Sequence, residues 1–220
     1  MATPIILDCD PGLDDAIALL LALASPEVTL VGVTTTYGNQ TLEKTTQNAL
    51  RVLSLVGRDD VPVAVGADRP LVRPLTVAAH VHGESGLDGP KLDPPTLPIR
   101  EGTATDFILQ QSREITDLNL LPIGPLTNVA TALRLDPSLA NRIKQISLMG
   151  GSLTSGNATP TAEFNIWCDP EAAHVVFTSG IPIKMLGLNV TRQVMATPER
   201  RAQIRSMGST TSRHVADMLD

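Results

Sequence analysis

Four aspartates crowd into residues 8–15, DCDPGLDD, directly behind the apolar run Ile5, Ile6, Leu7. Helix capping accounts for part of this cluster, since Asp14 and Asp15 in a first helical turn would complement the macrodipole for about 0.3 to 1 kcal/mol each. Capping explains two acids at most. Side chains alternate along an extended segment, so Asp8 and Asp10 lie on one side, and Pro11-Gly12 turns the chain so that Asp15 comes back toward Asp10. Carboxylates gathered in this way repel one another unless a cation joins them, and metal binding is the chemistry expected. The candidate ligands are all oxygens with no His or Cys pair beside them, which disfavours zinc and favours Ca²⁺ or Mg²⁺. The spacing is not that of an EF-hand loop. A larger, irregular oxygen cage suits Ca²⁺.

Such a site needs a scaffold. Short β-rich runs at residues 4–7, 28–35, 61–65, 118–123, 143–149 and 181–188 read as strands buried on both faces. Residues 14–24, 42–56, 102–114, 127–135 and 170–179 read as helices between them. That alternation predicts an α/β fold with a mostly parallel central sheet and helices on both faces, whose ligands bind beyond the carboxyl ends of the strands. The 220 residues, 42% hydrophobic, suit one sizeable core. A net charge of -6 with 17 dispersed Lys and Arg provides no footprint for a phosphate backbone, so no nucleic-acid partner is expected. The longest apolar run, residues 16–24, is about half of the roughly 20 residues that a membrane span needs. Two cysteines outside any CxxC, and no charged-then-apolar leader, fit a cytoplasmic protein.

Other inferred strand ends carry polar or glycine-rich segments: TTTYGN (34–39), IGPLTN (123–128), MGG (149–151) and LNVT (188–191). In GNATPTAEFN (156–165), an extended reading places Glu163 and Asn165 on one face, with the Phe164 ring packed away from them. Of the four histidines, His82 opens the glycine-bearing loop HGESG, which could move over a ligand. His80 merely precedes that loop, His174 sits on an apolar helical pattern, and His214 falls in a polar terminal helix. Trp167 reads as structural.

These segments together resemble the inosine-uridine-preferring nucleoside hydrolases. The family's N-terminal DxDxGxDD is matched by Asp8, Asp10, Gly12, Asp14 and Asp15, and four further segments follow in order: TTTYGN, HGESGL (82–87), GPLTN (124–128) and LMGGSLTSGNATPTAEFNIWCDPEAA (148–173). The resemblance covers essentially the whole chain. It implies the nucleoside hydrolase fold and calcium-dependent cleavage of the N-glycosidic bond of ribonucleosides to ribose and free base. Asp10, Asp15 and the main-chain carbonyl of Ile123 would bind Ca²⁺, and Asp10 would take the proton of the metal-held water. Asp14 would accept from the ribose 2'-hydroxyl, Asn157, Glu163 and Asn165 would grip the other hydroxyls, Met149 would pack near the sugar and Asn39 would lie beside Asp10. On its loop, His82 is expected as a catalytic residue in contact with the substrate or the leaving base. The resemblance also implies a homo-oligomer, dimer or tetramer. Family members continue well past residue 220 into a His-Asp pair that adds a metal ligand and a histidine near the base, so residues 1–220 read as one nucleoside hydrolase domain, C-terminally truncated. A silent ribose- or nucleoside-binding homologue and a metal-dependent phosphatase are the alternatives. Against the latter, Asp14 and Asp15 stand where a phosphate would approach, with no well-placed Lys or Arg to balance them.

Overall fold

The computed structural model describes residues 2–220. Its centre is a six-stranded sheet built from β1 (Thr3–Cys9), β2 (Val28–Thr35), β3 (Val63–Val65), β4 (Asn119–Pro122), β5 (Gln145–Met149) and β6 (Ile183–Leu186). The spatial order is β3-β2-β1-β4-β5-β6, and every pairing is parallel. The chain builds outward from β1 to β3, then returns across the sheet to place β4 on the other side of β1. That reversal leaves a crevice at the carboxyl ends of β1 and β4, the place where open parallel sheets bind ligands.

Alternation along β1 divides the core between two helical layers. Ile5, Leu7 and Cys9 pack with Ala16 and Leu19 of α1 (Leu13–Ala24) and with Leu50 and Leu53 of α2 (Leu42–Leu55). Ile6 faces the other way, toward Phe107 and Ile108 of α4 (Ala104–Glu114), Val129 of α5 (Thr127–Leu135) and Val176 of α7 (Pro170–Phe177). Both layers cover the sheet with fully buried leucines and isoleucines, each of which would cost about 2 to 5 kcal/mol if cut back to alanine. Local signals set the helix ends: Thr103 accepts from Asp106 N to open α4, and Asp169 accepts from Ala172 N ahead of Pro170 to open α7.

The strands and the five long helices fall where the sequence puts them, within a few residues. The 61–65 run forms strand only over Val63–Val65. Four α-helices and a 3-10 turn (Pro137–Asn141) form where the sequence pattern marks no helix: α3 (Ala79–His82), α6 (Phe164–Cys168), α8 (Leu188–Thr191) and α9 (Pro198–Ser206), while α10 (Thr210–Leu219) is the polar terminal helix. LNVT, expected as a polar strand end, is α8. The expectation of strands buried on both faces fails for β6, where Lys184, Met185 and Leu186 are exposed because this strand is the sheet's edge. Among the described residues no helix is long and apolar enough to cross a membrane.

Candidate active site

The turn between β1 and α1 is fixed almost atom by atom. Asp15 sits one helical turn inside α1 and folds its carboxylate back, accepting from Gly12 N at 3.3 Å and from Asp10 N at 3.4 Å. Asn39, four residues past the end of β2, ties the two acids together: its Nδ2 donates to Asp15 Oδ2 at 2.8 Å and to the Asp10 carbonyl at 3.0 Å. The Asn39 backbone N–H donates to Asp10 Oδ2 at 2.7 Å. The predicted return of Asp15 toward Asp10 is therefore present, as is Asn39 beside Asp10.

Asp8 takes a different part. Its carboxylate accepts from Thr34 Oγ1 at 2.6 Å and from Asn128 Nδ2 at 2.8 Å, so it ties β1 to β2 and α5. Burial pushes its pKa up to about 6, against the pull of these two donors.

The Asp10 carboxylate lies in a slot made by two glycines. A Cβ on Gly38 would stand 2.1 Å from Oδ2, and one on Gly124 would stand 2.2 Å from Oδ1. Asp10 is 1% exposed, and its Oδ1 is buried without a hydrogen-bond partner. Burial, then the neighbouring Asp15 charge, pushes the Asp10 pKa well up; burial and the Asp14 charge push that of Asp15 up in turn. No Lys or Arg among the described residues pairs with either acid. An orphaned carboxylate oxygen beside a second buried acid, with no basic residue, is a donor set suited to a hard cation. Among the described residues no three His, Cys, Asp or Glu side chains converge as a metal cage. The side-chain set is therefore two carboxylates, and the expected third donor is a backbone oxygen, the Ile123 carbonyl just past the end of β4.

Above these groups opens a cavity of about 360 Å³. Asp14, Asp15, Asn39 and Ile123 line its floor side, and Met149, Asn157, Glu163 and Asn165 also line it. Every sequence-predicted site residue therefore meets at this one place, with Asp10 just beneath the surface. The 163–165 segment is not extended. Glu163 is the N-cap of α6, its Oε1 accepting from Asn165 N at 2.9 Å and its Oε2 from Ile166 N at 3.1 Å, while Oε2 also accepts from Gly151 N at 2.9 Å. Asn165 donates Nδ2 to the Ile123 carbonyl at 2.8 Å and to the Met149 carbonyl at 3.1 Å, which leaves its Oδ1 for a ligand. Asn157 Oδ1 accepts from Phe164 N at 2.8 Å, which leaves its Nδ2.

The helical turn brings in residues that the extended reading turned away. Phe164 and Trp167 both line the cavity, their ring centroids 6.3 Å apart, because residues three apart share a helical face. His80 lines it too, with His82, both from the short helix α3. His82 Nδ1 accepts from Leu13 N at 3.3 Å, so the ring's hydrogen sits on Nε2. Burial lowers its pKa, with Asp14 pulling the other way and His80 adding to the fall. The missed residues left one sequence signal: EFNIW carries its two large rings at helical spacing.

Known proteins resemble this chain in sequence and in fold. Residues 5–220 match the family model described as inosine-uridine preferring nucleoside hydrolase. Over 221 aligned residues the chain is 52% identical to the pyrimidine-specific ribonucleoside hydrolase RihA of Shewanella oneidensis MR-1 and 50% identical to that of Escherichia coli K12. It is covered completely in both alignments and spans 70% and 71% of those proteins. Among solved structures, the purine-preferring ribonucleoside hydrolase from Gardnerella vaginalis superposes with a TM-score of 0.95 at 36% identity, over 98% of this chain and 70% of its own. The plant nucleoside hydrolase PpNRh1 superposes with a TM-score of 0.94, also at 36% identity, over 99% of this chain and 70% of its own. The chain belongs to the inosine-uridine preferring nucleoside hydrolase family.

Proposed function

We propose that the protein hydrolyses the N-glycosidic bond of ribonucleosides, releasing ribose and free base, and that pyrimidine ribonucleosides are its preferred substrates. The observation that carries the reading is the Asp10 carboxylate, buried at the β1/β4 crevice with Oδ2 held by Asn39 N–H and Oδ1 free. The base preference rests on the half-identical relatives named pyrimidine-specific.

Cleavage of an N-ribosyl bond passes through an oxocarbenium-like sugar, so a water must be aimed at C1', the ribose held and the base helped to leave. Asp10, Asp15 and the Ile123 carbonyl would hold Ca²⁺, which would supply a water of lowered pKa and a positive charge beside the sugar. Asp10 Oδ1 takes the proton of the attacking water, while the bond from Asn39 keeps the carboxylate from turning away. Asp14 accepts from the 2'-hydroxyl. Asn165 Oδ1 and Asn157 Nδ2 face the remaining hydroxyls. Glu163, three of whose acceptor positions are taken by backbone N–H groups, holds the sugar wall in shape and keeps one position for a hydroxyl. Met149 packs beside the ring. His82, neutral and with its hydrogen on Nε2, donates toward the departing base.

Hydrolysis of uridine, cytidine, inosine and p-nitrophenyl phosphate, each with added calcium and with chelator, tests the reading. Calcium-dependent cleavage of uridine and cytidine ahead of inosine is expected. Nucleoside binding without cleavage would make the protein a silent binder, and hydrolysis of the phosphate ester alone would make it a phosphatase; either result overturns the proposal.

A further inference from the structure

The polar line ahead of and along α2 takes no part in the chemistry described so far. Gln40, Lys44 and Asn48 follow one another at four-residue spacing, which stacks side chains along one helical face. They donate to three consecutive backbone carbonyls of the lip that follows α3. Gln40 Nε2 reaches Gly83 O at 2.9 Å, Lys44 Nζ reaches Glu84 O, and Asn48 Nδ2 reaches Ser85 O at 2.9 Å.

Asn48 does something the other two do not. The second hydrogen of the same amide nitrogen goes to the Pro11 carbonyl at 3.0 Å, inside the aspartate-rich turn. That carbonyl and the Gly12 N–H belong to one peptide group, so Asn48 holds the oxygen end of a plane whose nitrogen end is held by Asp15. One residue further on, Leu13 N–H meets His82 Nδ1. Asn48 is fully buried, and the lip is shaped around it: Gly86 adopts φ +83°, and a Cβ there would lie 2.9 Å from Asn48 Nδ2.

We propose that Asn48 is a positioning residue for the hydrolytic reaction, a single amide that keeps the Pro11–Gly12 peptide, and through it the Asp15 carboxylate, in register with the segment that carries His82. The inference rests on the ribonucleoside hydrolase reading given above. Of the side chains of this size, only asparagine offers two N–H groups on one nitrogen; aspartate offers none, and leucine fills the volume without a donor. Outer hydrogen-bond partners of a metal ligand commonly matter 10- to 100-fold to metal affinity or activity, and Asn48 holds the peptide that supplies one of them, Gly12 N–H.

The parent chain, Asn48→Leu and Lys44→Ala are compared, Lys44→Ala removing a lip bond without touching the turn. Calcium affinity is measured by calorimetry, unfolding by circular dichroism, kcat and KM with uridine, and the His82 tautomer by imidazole ¹⁵N shifts. Asn48→Leu should weaken calcium binding and lower kcat by about 10- to 100-fold and blur the single tautomer, while Lys44→Ala keeps calcium affinity within about twofold. A folded Asn48→Leu with parental calcium affinity, kcat and tautomer overturns the positioning role and leaves ribonucleoside hydrolysis standing. A parent chain that neither binds calcium nor cleaves uridine removes the reading beneath the proposal, and the proposal with it. Should Asn48→Leu not fold, Asn48→Ser, which keeps one donor, goes through the same series. Partial loss in the same pattern supports the assignment; failure of this variant to fold as well makes Asn48 a folding residue and overturns it.

Discussion

Gly124→Ala should disable the protein without unfolding it. The added methyl carbon would lie 2.2 Å from Asp10 Oδ1 and 2.9 Å from its Cγ, where ordinary contact begins near 3.4 Å. The carboxylate must therefore withdraw by about 1.2 Å, or the backbone must shift by as much. Withdrawal is blocked on one side by the Asn39 N–H, already at 2.7 Å, and stretching that bond by the same amount would break it. A misplacement of about 1 Å in a reacting group costs on the order of a hundredfold in rate, or about 2.7 kcal/mol. Loss of the charge-assisted bond itself adds about 1.5 to 3 kcal/mol to the cost of folding. Gly124 has no left-handed φ, so the effect comes from the methyl group's volume alone. The assay is kcat/KM for uridine with calcium in excess, alongside thermal unfolding by circular dichroism. A folded variant that keeps kcat/KM within about threefold of the parent would refute the idea that the Asp10 slot is held to this tolerance.

Asp10→Asn should lower kcat by at least about a hundredfold, since an amide cannot accept the water's proton, yet raise the melting temperature in chelator at alkaline pH, where the two buried acids would otherwise both be ionised; calorimetry and a uridine assay check both halves. 2'-Deoxyuridine should be cleaved at least about a hundredfold more slowly than uridine, because Asp14 loses its partner; equal rates would remove Asp14 from the sugar site. With calcium chelated, stability should fall as pH rises. Burial lifts Asp8 from the ordinary 3.8 to about 6, and burial with the Asp14 charge lifts Asp15 to about 8, so between those limits the folded chain holds protons that the unfolded chain has released. The stabilisation is complete below pH 3.8 and is lost upward through pH 6 and 8, at about 1.4 kcal/mol per pH unit for each group. Melting temperatures taken in chelator at several pH values from about 5 to 8 test the sign, and calcium should restore the loss at the upper end.

The floor of the site is legible in the sequence because its signals are local. Ile5, Ile6 and Leu7 announce a buried strand, and acids gathered at its end around Pro11-Gly12 point to a shared cation. The far wall is harder to read. An extended pattern puts Glu163 and Asn165 on one face, but Glu163 caps a helical turn, and the rotation of that turn carries Phe164 and Trp167 into the cavity. Glutamate is an unusual N-cap, and a five-residue helix leaves little periodicity to detect. Nothing in AHVH marks a short helix, so the sequence gives no sign that His80 reaches the cavity. Asn48 reads as one polar residue in an amphipathic helix, since its partners at Pro11 and Ser85 are 37 residues away in either direction. The exposure of β6 depends on its place at the sheet's edge, which no pattern within IKML records.

Placing β1 in the middle of the sheet has a consequence for how the chain is made. Its first neighbour, β2, follows within 20 residues, but the strand that closes its other side ends at Pro122. At roughly 5 to 20 residues per second, the 87 residues from the end of β2 to Pro122 take the ribosome on the order of 4 to 17 seconds. Throughout that interval one edge of a Val- and Ile-rich parallel pair stands open, the situation in which nascent chains associate with one another. Asp8 and Asp10 lie at the end of that edge, where charges deter another strand from pairing before Asn128 arrives to claim Asp8. Asp8, which in the finished protein ties the strands to α5, and Asp10, proposed above as the base, would thus serve earlier as guards of an unfinished sheet.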